Sequence, residues 1–189
     1  AVRADASVED EIIQLFRRVD HELGPVTALV NNAGTIAQQS RVEDMSEFRL
    51  LKIMKTNVVG PMLCAKHAVL RMAHRHGGHG GAIVNVSSMA ARLGSPNEYV
   101  DYATSKGALD TFTIGLAKEL AGEGVRVNGV RPAYIHTGFH ALSGDPDRVS
   151  QLAPSLPIGR GVHPPAVAQP LPSLPHASAP YSTGPSVSL

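Results

Sequence analysis

Apolar residues recur at Val8, Ile12, Leu15, Phe16, Val19 and Leu23, the 3.6-residue period of a helix with one buried face. Ser7, followed three positions later by Asp10, reads as an N-cap signature, and Gly24-Pro25 stops the run. A short apolar stretch, Thr27-Ala28-Leu29-Val30, then predicts a strand that ends in Asn31-Asn32-Ala33-Gly34. Between 45 and 73 the helical period returns through Phe48, Leu51, Met54, Val58, Met62, Val69 and Met72. Gly60-Pro61 interrupts it, because a proline inside a helix frees a carbonyl and bends the axis. Ala82-Ile83-Val84 predicts a second, buried strand running through Asn85-Val86 to Ser87-Ser88. A long helix is expected over about 99–120, with Gly122 and Gly124 as its natural C-cap positions. A third strand is expected over 125–130, ending in Arg131-Pro132-Ala133.

Strand, helix, strand, helix, strand is the rhythm of an α/β doubly wound, Rossmann-like parallel sheet, whose ligands bind beyond the carboxyl ends of the strands. Asn31, Ser88 and Pro132 all fall at such ends. Beyond Ala141 the pattern fades to a turn at Gly144-Asp145-Pro146 and a short helix over Arg148–Leu152. Prolines at 164, 165, 170, 172, 175, 180 and 185 forbid a central strand or an ordinary helix in most of the C-terminal stretch. The expected organisation is therefore one domain over 1–163 and a Pro-rich, irregular tail over 164–189.

Composition adds exclusions. At 189 residues, 43% hydrophobic and 17% charged, the chain is globular, and its formal net charge of +1 gives no electrostatic case for nucleic acid or an anionic membrane. No apolar run approaches the ~18 residues of a membrane span. The first residues lack the basic region and apolar core of a signal peptide, so a cytoplasmic location is expected. The absence of an initial Met suggests a start within a longer sequence or processing. Cys64, the only cysteine, reads as a buried small hydrophobe. His74, His76 and His79 lie in a Gly-rich run without a carboxylate or thiol to complete a metal site, and read as a solvated loop.

The chemistry concentrates in two places. Tyr102 and Lys106 stand i and i+4 on one helix face. A phenol is a poor base near neutrality, with a pKa of about 10, and an ammonium within about 4–6 Å is expected to lower it. Ser88, at a strand end fourteen residues before Tyr102, offers a hydroxyl to hold a substrate oxygen for proton transfer. Asn57, beside the Gly60-Pro61 break, is either a satisfied core amide or a site residue. The Asn31–Gly34 stretch is either an Asn-rich turn or a place where a ligand approaches the backbone.

In this order and spacing, Asn31-Asn32-Ala33-Gly34, Asn57, Ile83-Val84-Asn85-Val86-Ser87-Ser88, Tyr102-x-x-x-Lys106 and Arg126-Val127-Asn128 through Pro132 resemble the short-chain dehydrogenase/reductase family. The stretch from Gly94 to Tyr102 looks like bacterial sugar or 3-oxoacyl reductases. The resemblance implies hydride exchange between NAD or NADP and a secondary alcohol or carbonyl. It makes Tyr102 the general acid/base, Lys106 its assistant and the holder of the nicotinamide ribose, and Ser88 the holder of the substrate oxygen. Asn57 would keep a water in the proton relay. Asn31, Ala33 and Gly34 would line the adenosine side, with Asp5 at the adenine. Pro132, Ile135 and Thr137 would flank the nicotinamide, the last two holding its carboxamide.

Three departures accompany the resemblance. The family's first βα units, with the Gly-rich pyrophosphate turn and the residue that selects NAD or NADP, have no counterpart, so the strand at Leu29 should have an open edge. Ala133 replaces a usual Gly. Pro-rich sequence stands where the family has a helix and a last strand, which suggests an altered gene end. The partners implied are a small-molecule substrate and, through pairing of the helices at 46–73 and 99–120, a homodimer or homotetramer. The rival reading is a catalytically silent fragment or paralogue that associates through those helices.

Overall fold

The computed structural model describes residues 1–156, 158–168 and 186–188. Helix α1, Glu9–Leu23, turns Ile12 and Phe16 inward, as its period predicts. Its N-terminus corrects the expectation for Ser7: Val8 is the N-cap, and no side chain caps the helix. The Ser7 N–H instead donates to Asp5 Oδ1 at 2.8 Å, and Glu11, the third helical residue, accepts from the Asp5 N–H at 2.7 Å. These charged acceptors brace the segment that leads into the helix.

Strand β1, Ala28–Asn31, follows, and then helix α2, Glu47–Met54, whose Ser46 N-cap accepts from the Arg49 N–H at 3.3 Å. The expected break at Gly60-Pro61 is a widening: Lys55–Val59 is π-helical and leads into α3, Gly60–Met72. Pro61 has no N–H to return to the carbonyl four residues back, that of Asn57, and single π-turns of this kind frequently mark functional sites. Strand β2, Gly81–Val86, the one-turn helix α4, Ala90–Leu93, the long helix α5, Val100–Leu120, and strand β3, Val125–Arg131, complete the predicted rhythm. Of the two glycines after α5, only Gly124 takes a positive φ, +72°; its carbonyl accepts from Gly81 N–H at 3.0 Å, and a Cβ there would strike the His74 ring. Short helices α6, Phe139–Leu142, and α7, Arg148–Leu152, follow.

The expectation of an irregular tail fails at two places. Pro164–Ala168 forms a short helix, α8, and Ser186–Ser188 forms β4. The remaining Pro-rich positions lie outside the described residues. The sheet is parallel in the order β1-β2-β3-β4, with Ile83 opposite Leu29 on one side and Val127 on the other. The core lies on one face, where Ile12 and Phe16 of α1, Ala68 and Met72 of α3, and Leu116 and Leu120 of α5 pack on Ile83, Val125 and Val127. Val84, Val86 and Val130, which alternate to the other face, form a second, smaller cluster. Among the described residues β1 pairs only with β2, and Val30 on it is 42% exposed, the open edge anticipated from the sequence. Among the described residues no helix is long and apolar enough to cross a membrane.

Candidate active site

The carboxyl ends of β1, β2 and β3 are tied to α5 and the π-helical turn by buried polar side chains. Asn31 donates to the Asn85 Oδ1 at 2.9 Å and to the Pro61 carbonyl at 3.2 Å, and Asn85 in turn donates to Thr113 Oγ1 at 2.9 Å. Asn57, fully buried, donates to the Thr35 carbonyl at 2.9 Å and to Ser105 Oγ at 3.0 Å, and accepts the Thr35 N–H at 2.7 Å. Its amide is therefore a satisfied core group that pins the loop after β1 to the π-helical turn and to α5. Asn31 likewise bridges elements with its side chain. Neither amide points free into the site.

Tyr102, in the first turn of α5, faces the Ser88 hydroxyl closely enough for it to lower the phenol pKa, and Ser88 Oγ accepts the Ala90 N–H at 3.1 Å. The Phe139 ring, on α6, lies 5.7 Å from the Tyr102 ring. One turn further along α5 the Lys106 ammonium lies 5.7 Å from the centre of the Tyr102 ring and donates to the Val86 carbonyl at 2.7 Å. The three residues singled out by the sequence thus meet at one rim of the sheet.

Their charges are set by burial. Burial pushes the Tyr102 phenol up to about 12, against a smaller lowering by the Ser88 hydroxyl. Burial likewise pushes the Lys106 amine down to about 8. This corrects the expectation of a phenol depressed by its lysine: without a further positive charge, loss of solvent outweighs the neighbouring ammonium. Tyr102 holds its proton at neutral pH.

The remaining residues surround this centre to different degrees. A Cβ on Gly34 would lie 3.5 Å from both Lys106 Nζ and Asn57 Oδ1, so the backbone at Gly34 forms a bare wall beside the ammonium, with exposed Ala33 continuing it. The Pro132 carbonyl accepts the Met89 N–H at 3.0 Å, which ties the ends of β2 and β3. Ile135 bridges to Val162, and exposed Thr137 accepts the Phe139 N–H at 3.2 Å through its hydroxyl oxygen. Asp5 is exposed, and its carboxyl is held low mainly by the Ser7 N–H, with Lys55 of the π-helical turn adding to this. Among the described residues no group of three His, Cys, Asp or Glu side chains is gathered for a metal.

Several contributors were missed in the sequence. Ser105, Phe139 and the Arg49–Asp101 ion pair, 2.7 Å with Asp101 almost fully buried, brace the start of α5. The available signal was a charge at each of Arg49 and Asp101 where a half-buried helix should be apolar. A polar cavity of about 610 Å³, lined by Gln38, Glu98, Ser143, Asp145, Arg148 and Gln151 among others, lies between the segments that flank Tyr102 and Phe139.

The nicotinamide half of a dinucleotide fits the residues present. Lys106 is 4% exposed, and among the described residues its one hydrogen bond, to the Val86 carbonyl, leaves two ammonium donors beside the bare Gly34 wall, suited to ribose hydroxyls.

The comparisons with known proteins agree. A family model described as enoyl-(acyl carrier protein) reductase matches residues 1–188. The chain is 49% identical over 183 residues to the uncharacterized oxidoreductase YgfF of Escherichia coli (strain K12), an alignment covering 97% of this chain and 74% of the relative. A short-chain type dehydrogenase/reductase from Mycobacterium marinum superposes with a TM-score of 0.91 at 31% identity, covering all of this chain and 72% of that one. The structure of ElxO with NADP bound superposes with a TM-score of 0.87 at 26% identity, covering 99% and 75%. The chain belongs to the short-chain dehydrogenase/reductase family. The match running through residue 188 extends the likeness well past the 1–163 expected from motifs.

Proposed function

We propose that this chain carries the chemical centre of an NAD(P)-dependent oxidoreductase acting on a secondary alcohol or carbonyl, with Tyr102 as general acid/base. The observation that carries the reading is the meeting of Ser88, Tyr102 and Lys106 at the end of β2. The ElxO structure, with its bound NADP, supports the cofactor class.

When bound, the nicotinamide supplies or accepts the hydride. In reduction Tyr102, protonated at neutral pH, donates its proton to the carbonyl oxygen while Ser88 holds that oxygen. Lys106 holds the ribose through its two remaining N–H groups and stabilises the phenolate left behind. In oxidation Tyr102 would act as the base, its pKa brought down from about 12 by the positive charge that an oxidised nicotinamide would supply. Asn57 acts through its main chain: its carbonyl lacks the N–H that Pro61 cannot provide, and holds a water that returns the proton by way of Lys106. Ala33 and Gly34 would form the wall along the cofactor, Pro132 would flank its nicotinamide end, Ile135 and Thr137 would hold the carboxamide, and Asp5 would meet the adenine. The polar cavity beside Glu98 and Asp145 admits a small polar substrate.

The enzyme works in the cytoplasm as a homodimer or homotetramer. Phe48, Leu51 and Met62 on α2 and α3 and Ile114 on α5, 44–77% exposed, supply the apolar surface. Screening small ketones and alcohols by nicotinamide absorbance at 340 nm tests the activity. Tyr102→Phe is expected to reduce turnover by about 10²–10⁴-fold. A Tyr102→Phe protein that turns over at the parent rate overturns the assignment.

A further inference from the structure

Tyr102, Lys106 and Asp110 lie four residues apart on one stripe of α5. The first two belong to the acid/base centre; Asp110 has no part in it so far. It is only 8% exposed, and Arg131 Nε donates to its Oδ2 at 2.7 Å. Among the described residues its other oxygen, Oδ1, is buried without a partner. A carboxylate held this way is costly in a fold unless its charge acts on something nearby.

The geometry indicates on what. Helical side chains lean towards the N-terminus, so the Asp110 carboxylate tilts to the turn that holds Lys106, one turn earlier in the helix. Lys106 is itself cut off from water. Among the described residues, the titratable or charged groups around it are Asp110 and Tyr102 on α5 and, behind Asp110, Arg131 at the end of β3. The other elements packed against it present uncharged groups: the Val86 carbonyl of β2, the Gly34 backbone and the Asn57 amide.

We propose that Asp110, oriented by Arg131, is a positioning residue that serves as the counter-charge keeping the Lys106 side chain an ammonium inside the site. The catalytic consequence rests on the oxidoreductase reading; the charge relation does not. Burial brings the Lys106 amine down to about 8, and Asp110 is the group that opposes this fall.

The test is the titration of the Lys106 ε-methylene resonance by NMR in the full, cofactor-free chain, with the resonance assigned by its loss in Lys106→Met. Asp110→Asn keeps an acceptor for Arg131 and removes the charge; its Lys106 midpoint is expected to fall by about one pH unit. Asp110→Glu is expected to restore most of the shift. The double variant Asp110→Leu, Arg131→Met removes the ion pair and its orphaned oxygen, a replacement that buried pairs commonly tolerate, and should also lower the midpoint. Midpoints equal to the parent's in both charge-removing variants overturn the proposal. Where the chain turns over, the alkaline limb of its pH–rate profile should move by the same interval in Asp110→Asn. A shifted midpoint in a chain without nicotinamide turnover upholds the counter-charge and counts against the oxidoreductase reading alone. Turnover with an unmoved midpoint does the reverse.

Discussion

At Lys106 a single amine shows why the site residues could be found in the sequence and their charge states could not. The Tyr102-x-x-x-Lys106 spacing fixes that both side chains share a helix face. Whether the ammonium or the loss of water dominates depends on depth, which no spacing encodes. Asn57 is a second instance. Its two readings, core amide and site residue, are resolved only by Thr35 and Ser105, partners 22 and 48 positions away. The buried amine has a thermodynamic signature. Between about 8 and the ordinary lysine value of 10.5, the unfolded chain binds a proton that the folded chain has released, so stability rises with pH through that window. Below it both states are protonated, and the cost of the buried cation is carried in full. Tyr102 acts oppositely above 10: the folded chain keeps a proton up to about 12 that the unfolded chain loses, and stability falls. Urea unfolding of the parent is therefore expected to strengthen from pH 8 to pH 10 relative to Lys106→Met, by at most about 3 kcal/mol. A parent-minus-variant difference that is flat across this range would contradict the buried, depressed amine.

Among the elements, the helices were legible wherever the apolar period was clean, as in α1. They became ambiguous where buried polar groups replaced it. α5 buries Asp101, Ser105, Lys106, Asp110 and Thr113 along with its apolar residues, so its inward face reads as mixed. Those residues bind β2, β3 and the π-helical turn to one another, and that is the reason a helix of 21 residues with a polar inner face holds its place. The π-helical turn at Lys55–Val59 was visible only as a break at Pro61, because its widening follows from the missing N–H together with the packing of Asn57. Gly60, just after it, lets the Ala6 carbonyl sit against the helix. In Gly60→Ala the new Cβ meets the Ala6 backbone, which no change of rotamer can move aside. The expected cost is about 1–3 kcal/mol of stability, read as a lower urea midpoint, with the Asp5–Ser7 segment more readily cleaved by protease. An unchanged midpoint would mean that this segment does not pack on the π-helical turn.

Taken whole, the sheet explains which half of the cofactor site the chain can build. The order β1-β2-β3 was legible from the strand-helix alternation, whereas β4 was not: Ser186-Val187-Ser188 has weak strand character and stands among prolines. It pairs because β3 offers an unpaired edge, a tertiary cause that local propensity does not carry. The same edge logic applies at β1, which among the described residues has no neighbour beyond β2. In this fold the pyrophosphate is cradled by a Gly-rich turn between a strand and a helix N-terminus. Among the described residues no strand is followed by such a turn, while Lys106, Tyr102, Ile135 and Thr137, the groups proposed to hold the nicotinamide and its ribose, are present. Adding pyrophosphate and adenosine to nicotinamide mononucleotide should therefore bring this chain little. Reduced nicotinamide mononucleotide and NADH are expected to bind with Kd values within about tenfold, or ~1.4 kcal/mol, by isothermal calorimetry. Lys106→Met should weaken both alike, because the lost contact is to the half they share. NADH binding a hundredfold tighter than the mononucleotide would show that the adenosine side, at Asp5 and the Asn31–Gly34 wall, contributes far more than its geometry indicates.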